Sequence, residues 1–173
     1  EIGRVYNTRT YREGEAPGFK VKMLGRHLKG PVVIDIGCGD NAFLARIARD
    51  KPEIKEAIGS DSIDQHIQFA DPRVKFRQQL KEDKVPFGDG IADTVTTLFM
   101  LHHAPVKVRE SLLKEVYRIL KPGGRFVVLE DTFSDTLKPT YDTDLIQRFL
   151  RLDKEQRYMV FRFADWYNNR LIK

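Results

Sequence analysis

The sequence has one cysteine, Cys38, and one tryptophan, Trp166, among 173 residues. A lone thiol excludes an internal disulfide and suits a reducing compartment, so a cytoplasmic setting is expected. No apolar run approaches the ~20 residues of a membrane span, and no basic, apolar, small-residue leader reads as a signal peptide. The chain opens at Glu1 rather than a methionine, which leads us to expect part of a longer sequence. Internal repeats and low-complexity linkers are lacking too. So is a concentrated basic face. The net charge of +5 divides into +4 over residues 1–30, −1 over 31–131 and +2 over 132–173. An excess this diffuse, centred on the N-terminal end, reads as solvated surface, and no nucleic-acid partner is expected.

The length allows one domain with one core. Hydrophobic residues at 41% and charged residues at 32% give an ordinary globular balance. Along the chain, strand and helix patterns alternate. Val21, Leu24 and Leu28 have helical spacing within residues 19–29. "PVVIDIG" is a continuous apolar run, as in a parallel strand covered on both faces. "NAFLARIARD" then reads as a helix, and "EAIGSD", "RVKFRQ" and "ADTVTTLFM" as the second to fourth strands. "KVRESLLKEVYRIL" is amphipathic, with Leu112, Leu113, Val116, Ile119 and Leu120 on one stripe. It stops at "KPGG", where a proline cannot continue the helix and glycines permit a turn, and "RFVVLED" makes a fifth strand. This alternation implies a doubly wound parallel α/β sheet with right-handed crossovers. Ligands of such sheets sit beyond the carboxyl ends of the strands, where strand order reverses. That edge would gather the "DIGCGD" loop, Asp61, the end of "VTTLFM" and Glu130/Asp131.

The loop's chemistry narrows the ligand. Gly37 and Gly39 let backbone approach a ligand closely and accept positive φ. A phosphate site would use the same geometry, and glycines alone do not decide. The acids do: Asp35 and Asp40 would repel a pyrophosphate and attract a cation. Asp61, ending the second strand, suits acceptance from two ribose hydroxyls. An adenosine ligand with a positive centre, such as S-adenosylmethionine, meets both demands.

These residues carry a resemblance. "VVIDIGCGDNAFLARIA", "IGSDSI", "VPFGDGIADTVTTLFMLHHAP" and "LLKEVYRILKPGGRFVVLED", in this order across residues 30–131, resemble the motifs of the class I S-adenosylmethionine-dependent methyltransferases, in the group that methylates small molecules. The resemblance implies a Rossmann-like sheet of strand order 3-2-1-4-5. It implies an enzyme that moves a methyl group to a small-molecule O, N or C nucleophile. Asp35, Gly37, Cys38 and Gly39 would line the methionine part of the cofactor, and Asp61 would hold the ribose. Ser62 and Ile63 would flank the adenine, with Gln79 and Leu80 at its amino group. Phe99 would lie near the sulfonium. Asn41 stands where many members have a small residue, and it tolerates left-handed geometry. The family's sheet ends with two strands after the fifth. Too few residues remain here to build them, so the final antiparallel strands are expected to be missing.

His102 and His103 follow the fourth strand. Either could take a proton from the acceptor, or both could shape the loop and close the cofactor pocket, the reading we favour. In-line positioning of an activated sulfonium supplies much of the rate without a strong base. Glu130, Asp131, Asp142 and Asp144 read as solvated or capping acids, and no metal is expected. Residues 1–30 are expected as an N-terminal helical and loop segment, 31–131 as the cofactor-binding core, and 132–173 as a helical substrate lid of interleaved aromatics and arginines. Two rivals remain: an RNA or protein methyltransferase, and a non-catalytic cofactor-binding or degenerate partner subunit.

Overall fold

In the computed structural model the described residues are 20–22, 24–64, 68–81, 83–101, 104–131, 158–165 and 170–172. The sheet has seven strands: β1 (Val32–Ile36), β2 (Glu56–Asp61), β3 (Val74–Gln78), β4 (Ala92–Leu98), β5 (Leu120–Asp131), β6 (Tyr158–Asp165) and β7 (Arg170–Ile172). Their order is β3-β2-β1-β4-β5-β6-β7, parallel throughout except for β7, which runs antiparallel to β6. The first five strands follow the expected order 3-2-1-4-5. The chain steps outward from β1 through β2 to β3, then returns to place β4 on the other side of β1. The order therefore reverses at β1, which opens a crevice at its carboxyl end.

Two sequence expectations are corrected at the far edge. The sheet does not stop at five strands, and residues 158–165 and 170–172 of the expected helical lid are extended. β6 pairs along β5 from Arg125↔Tyr158 to Asp131↔Ala164, satisfying a backbone edge that would otherwise be open. "YMVFRFAD" contains the β-branched and aromatic residues that fit a strand. β5 also begins at Leu120, earlier than expected. Its "KPGG" stretch is accommodated by a register shift opposite Ala92–Thr94.

Alternating side chains divide the core between the two faces of the sheet. Ile34, Ile36, Phe126 and Val128 face one side, where helix α2 (Val106–Ile119) brings Leu112, Leu113, Val116 and Ile119. Val33, Val127 and Leu129 face the other, against Phe43, Leu44, Ile47 and Ala48 of helix α1 (Ala42–Asp50). Each fully buried Leu, Ile or Phe contributes about 1.5–3 kcal/mol through removal of apolar area from water. Leu24 and Leu28 join the α1 side, so the segment before β1 is part of the core. It is helical at 20–22 and 24, then tightens into a 3-10 turn at Gly25–His27.

Candidate functional site

The site forms where β1 and β2 end. At Gly37 (φ 75°) and Gly39 (φ 59°) the backbone is left-handed, and the Gly37 and Cys38 amides donate to the Ser60 carbonyl at 2.7 and 3.2 Å. The loop is thus sewn to β2. Asn41 follows at φ 69°, immediately before α1. It takes the left-handed conformation expected of it. Its Nδ2 donates to the Lys75 carbonyl at 3.3 Å, while its buried Oδ1 accepts nothing among the described residues. Room for Asn41 and Cys38 comes from Gly59 of β2, where any Cβ would overlap the Asn41 amide and the Cys38 sulfur. An isolated glycine inside a strand pattern is the signal of such close approach.

Three acids lie around this loop. Asp61 accepts from the Gly39 amide through Oδ2 and from the Ile63 amide through Oδ1, both at 3.0 Å. An ionised carboxylate has about four lone-pair sites, so two remain for outside donors. Asp40 is buried, and its Oδ1 accepts from the Ala42 amide at 2.8 Å in the first turn of α1. Asp35 is 2% exposed and pairs across the sheet with Gly59 on one side and Thr96 on the other. The Thr96 hydroxyl donates to its Oδ1 at 2.5 Å. Burial pushes the Asp35 carboxyl up to about 7, opposed by the Thr96 hydrogen bond and by the charge of Lys20.

The expected adenine residues lie one strand over. Asp61 pairs with Gln78, and Ile63 and Leu80 each lie two residues beyond that pair. Their apolar side chains are 58% and 86% exposed, unusual for residues of this kind, and Ser62 beside them is exposed. Gln79 is buried; its backbone amide donates to the Asp61 carbonyl and its Nε2 to the Lys81 carbonyl, both at 2.8 Å. The side chain of Cys38 turns toward Gly59, which leaves its backbone as the part at the loop surface. Burial and the neighbouring Asp35 and Asp61 push its thiol up, away from nucleophilic use.

On the opposite side, Phe99 leaves β4 with a left-handed φ of 56°, a rare conformation for a bulky residue. Its amide donates to the Leu129 carbonyl at 2.7 Å. Glu130 is fully buried, neither solvated nor a helix cap as expected, and its Oε1 accepts from the amides of Met100 at 3.2 Å and Leu101 at 2.8 Å. This fixes the turn that leads into His102. His102 and His103 themselves, with Asp142, Asp144 and Trp166, lie outside the described residues. Lys20 is a residue the sequence reading missed. Its Nζ lies 5.7 Å from the centroid of the Phe99 ring, within cation–π range. Partial desolvation pushes its ammonium below the ordinary value, opposed by the charges of Asp35 and Asp40. Nothing in the local sequence marks Lys20 out from Lys22.

Among the described residues no group of His, Cys, Asp and Glu is arranged to hold a metal ion, and no helix is long and apolar enough to cross a membrane.

Comparison with known proteins agrees with the geometry. A family model described as a methyltransferase domain matches residues 34–128, more than half of the chain. A demethylmenaquinone methyltransferase from Lactiplantibacillus plantarum is 33% identical over 139 residues, covering 72% of this chain and 57% of the relative. A ubiquinone/menaquinone biosynthesis C-methyltransferase from Haemophilus ducreyi is 32% identical over 124 residues, covering 66% and 44%. Among solved structures, a TehB-like SAM-dependent methyltransferase from Corynebacterium glutamicum superposes with a TM-score of 0.64 at 15% identity, covering 88% of this chain and 84% of that one; this likeness bears on the fold alone. The chain spans about half the length of the curated relatives it matches.

Proposed function

The chain belongs to the class I S-adenosylmethionine-dependent methyltransferases, and on that premise we propose that it transfers the methyl group of S-adenosylmethionine to a small-molecule nucleophile. The observation that carries this reading is the pairing of Asp61 with the Gly39 amide beside the buried acids Asp35 and Asp40. One carboxylate keeps two acceptor positions for a pair of hydroxyls. Two further acids and an aromatic face favour a positive centre. A cation already lies there, the Lys20 ammonium, so the pocket fits the charge of this cofactor.

In this reading Gly37 and Gly39 offer backbone to the methionyl part, Asp61 holds the ribose, and Ile63 and Leu80 cover the adenine with their exposed apolar side chains. Gln79 steadies the loop under the adenine through its bond to the Lys81 carbonyl. The cofactor supplies an activated methyl group, and the chain's residues orient it and exclude water. Phe99 and the turn held by Glu130 face the acceptor. His102 and His103 follow that turn and would shape the acceptor side or take its proton. The relative named as a ubiquinone/menaquinone biosynthesis C-methyltransferase favours a carbon nucleophile.

Calorimetric titration with S-adenosylmethionine tests the reading. Asp61→Ala is expected to weaken binding by about 1–3 kcal/mol, because charge-assisted hydrogen bonds to the ligand are lost. An unchanged affinity would remove Asp61 from the site. If the wild-type chain binds no S-adenosylmethionine, the degenerate-subunit rival takes precedence.

A further inference from the structure

A cation of the chain itself faces the acidic loop. Lys20 comes from the segment ahead of β1, and its Nζ lies 5.7 Å from the Phe99 ring centroid. Asp35 and Asp40 act on the same ammonium. A lysine that gives up part of its water needs compensation. Here two buried carboxyls and a ring face supply it. Lys22, on the same turn, is exposed, whereas Lys20 is half-buried. The ring itself is held at a strained positive φ, a conformation that persists where the surroundings impose it and that gathers at functional sites.

We propose that Lys20 is an internal competitor, holding in the ligand-free protein the position by Phe99, Asp35 and Asp40 that the positive centre of the ligand takes, so that binding exchanges one cation for another. The proposal rests on the function proposed above. The exchange needs little backbone movement. Val21 packs against the α1-side core and Leu24 is fully buried there, which anchors the turn. The four-carbon stem of the lysine can swing outward while the turn stays, carrying the ammonium back to water. Lys20 then has two effects of opposite sign. It balances the charge of the acids, and it opposes the arrival of a cationic ligand.

Two measurements on the full chain test this, with Lys20→Met to remove the charge and Lys20→Arg to keep it. By calorimetry with S-adenosylmethionine, Lys20→Met is expected to bind at least about threefold more tightly than wild type, the scale of a lost cation–π competitor. Lys20→Arg should stay near the wild-type value. Without ligand, Lys20→Met should melt about 2–4 °C lower, since the acids lose their counter-charge. Equal affinity overturns the exchange. Weaker affinity overturns it as well, and assigns the ammonium to the ligand's carboxylate instead. An unchanged ligand-free melt also overturns it. If wild type binds and only the variant's behaviour departs from expectation, the exchange fails and the proposed function stands. If neither chain binds, both fail together.

Discussion

The two ends of the same parallel strands are built on opposite plans. At the amino edge, charges meet partners within the chain. Asp93 accepts from the Val32 amide and from the Lys121 ammonium, both at 2.9 Å. Thr94 exchanges two hydrogen bonds with the backbone of Lys29, at 2.8 and 2.7 Å. Arg118 spans Glu115 at 2.7 Å and Asp89 at 2.6 Å, and Glu115 also accepts from the Val85 amide. At the carboxyl edge, Asp35, Asp40 and Asp61 receive no arginine among the described residues. Their bonds come from a hydroxyl and backbone amides, and the nearby cation is a single lysine. Both non-glycine residues with positive φ, Asn41 and Phe99, are at this edge among those described. A satisfied edge holds the sheet together. An edge with spare acceptors and strained turns retains capacity for a ligand.

Gly59→Ala should break that contrast most severely. The added methyl group has no room beside Asn41 and Cys38, and overpacking of this kind costs about 1–3 kcal/mol or somewhat more. Urea unfolding should show the loss, together with weaker cofactor binding, because the same contact seats the glycine loop. Asp93→Ala separates the two edges. It should cost about 1–3 kcal/mol of stability by leaving the part-buried Val32 amide without its acceptor, while cofactor affinity stays unchanged. A matching loss of affinity would show that the edges are not independent. Asp61→Ala should differ from Asp93→Ala by lowering affinity, with a stability cost besides, because the part-buried Gly39 amide loses its acceptor along with the ligand.

A pH-dependent test of the carboxyl edge comes from Asp35. Its carboxyl titrates near 3.8 when unfolded and about 7 when folded, so the folded state binds the extra proton between these values. The stabilisation is complete below about pH 4 and is lost as pH rises through about 7, with a slope of at most about 1.4 kcal/mol per pH unit. Asp35→Asn should remove this part of the pH dependence in denaturant titrations across pH 4–8. A wild-type slope that survives the substitution would assign it to another group.

The fold was legible where one element's pattern sufficed. The apolar run before Gly37, the stripe of α2 and the spacing between them gave the parallel α/β sheet, because burial on two faces leaves a parallel strand little alternative, while the order 3-2-1-4-5 came from the resemblance of the motifs. β6 and β7 were harder. Aromatic residues mixed with arginines fit a helix face as well as an edge strand, and only pairing with β5 decides between them. In the site, Gly37, Gly39 and Asp61 stand out by residue type and spacing. Thr96 was visible only as one of several alternating threonines, and Glu130 looked like a surface acid because its amide partners come from another strand's turn.

Left to itself, the chain's local chemistry settled which segments are strands and helices and put acids beside a glycine turn, since both follow from periodicity and backbone freedom within a few residues. Which charge answers those acids was decided by packing. Lys20 reaches the Phe99 ring and feels the charge of Asp35 because the turn anchored by Leu24 packs into the core with Val33 of β1, and an electrostatic interaction between residues so far apart in the chain exists only once the sheet has formed.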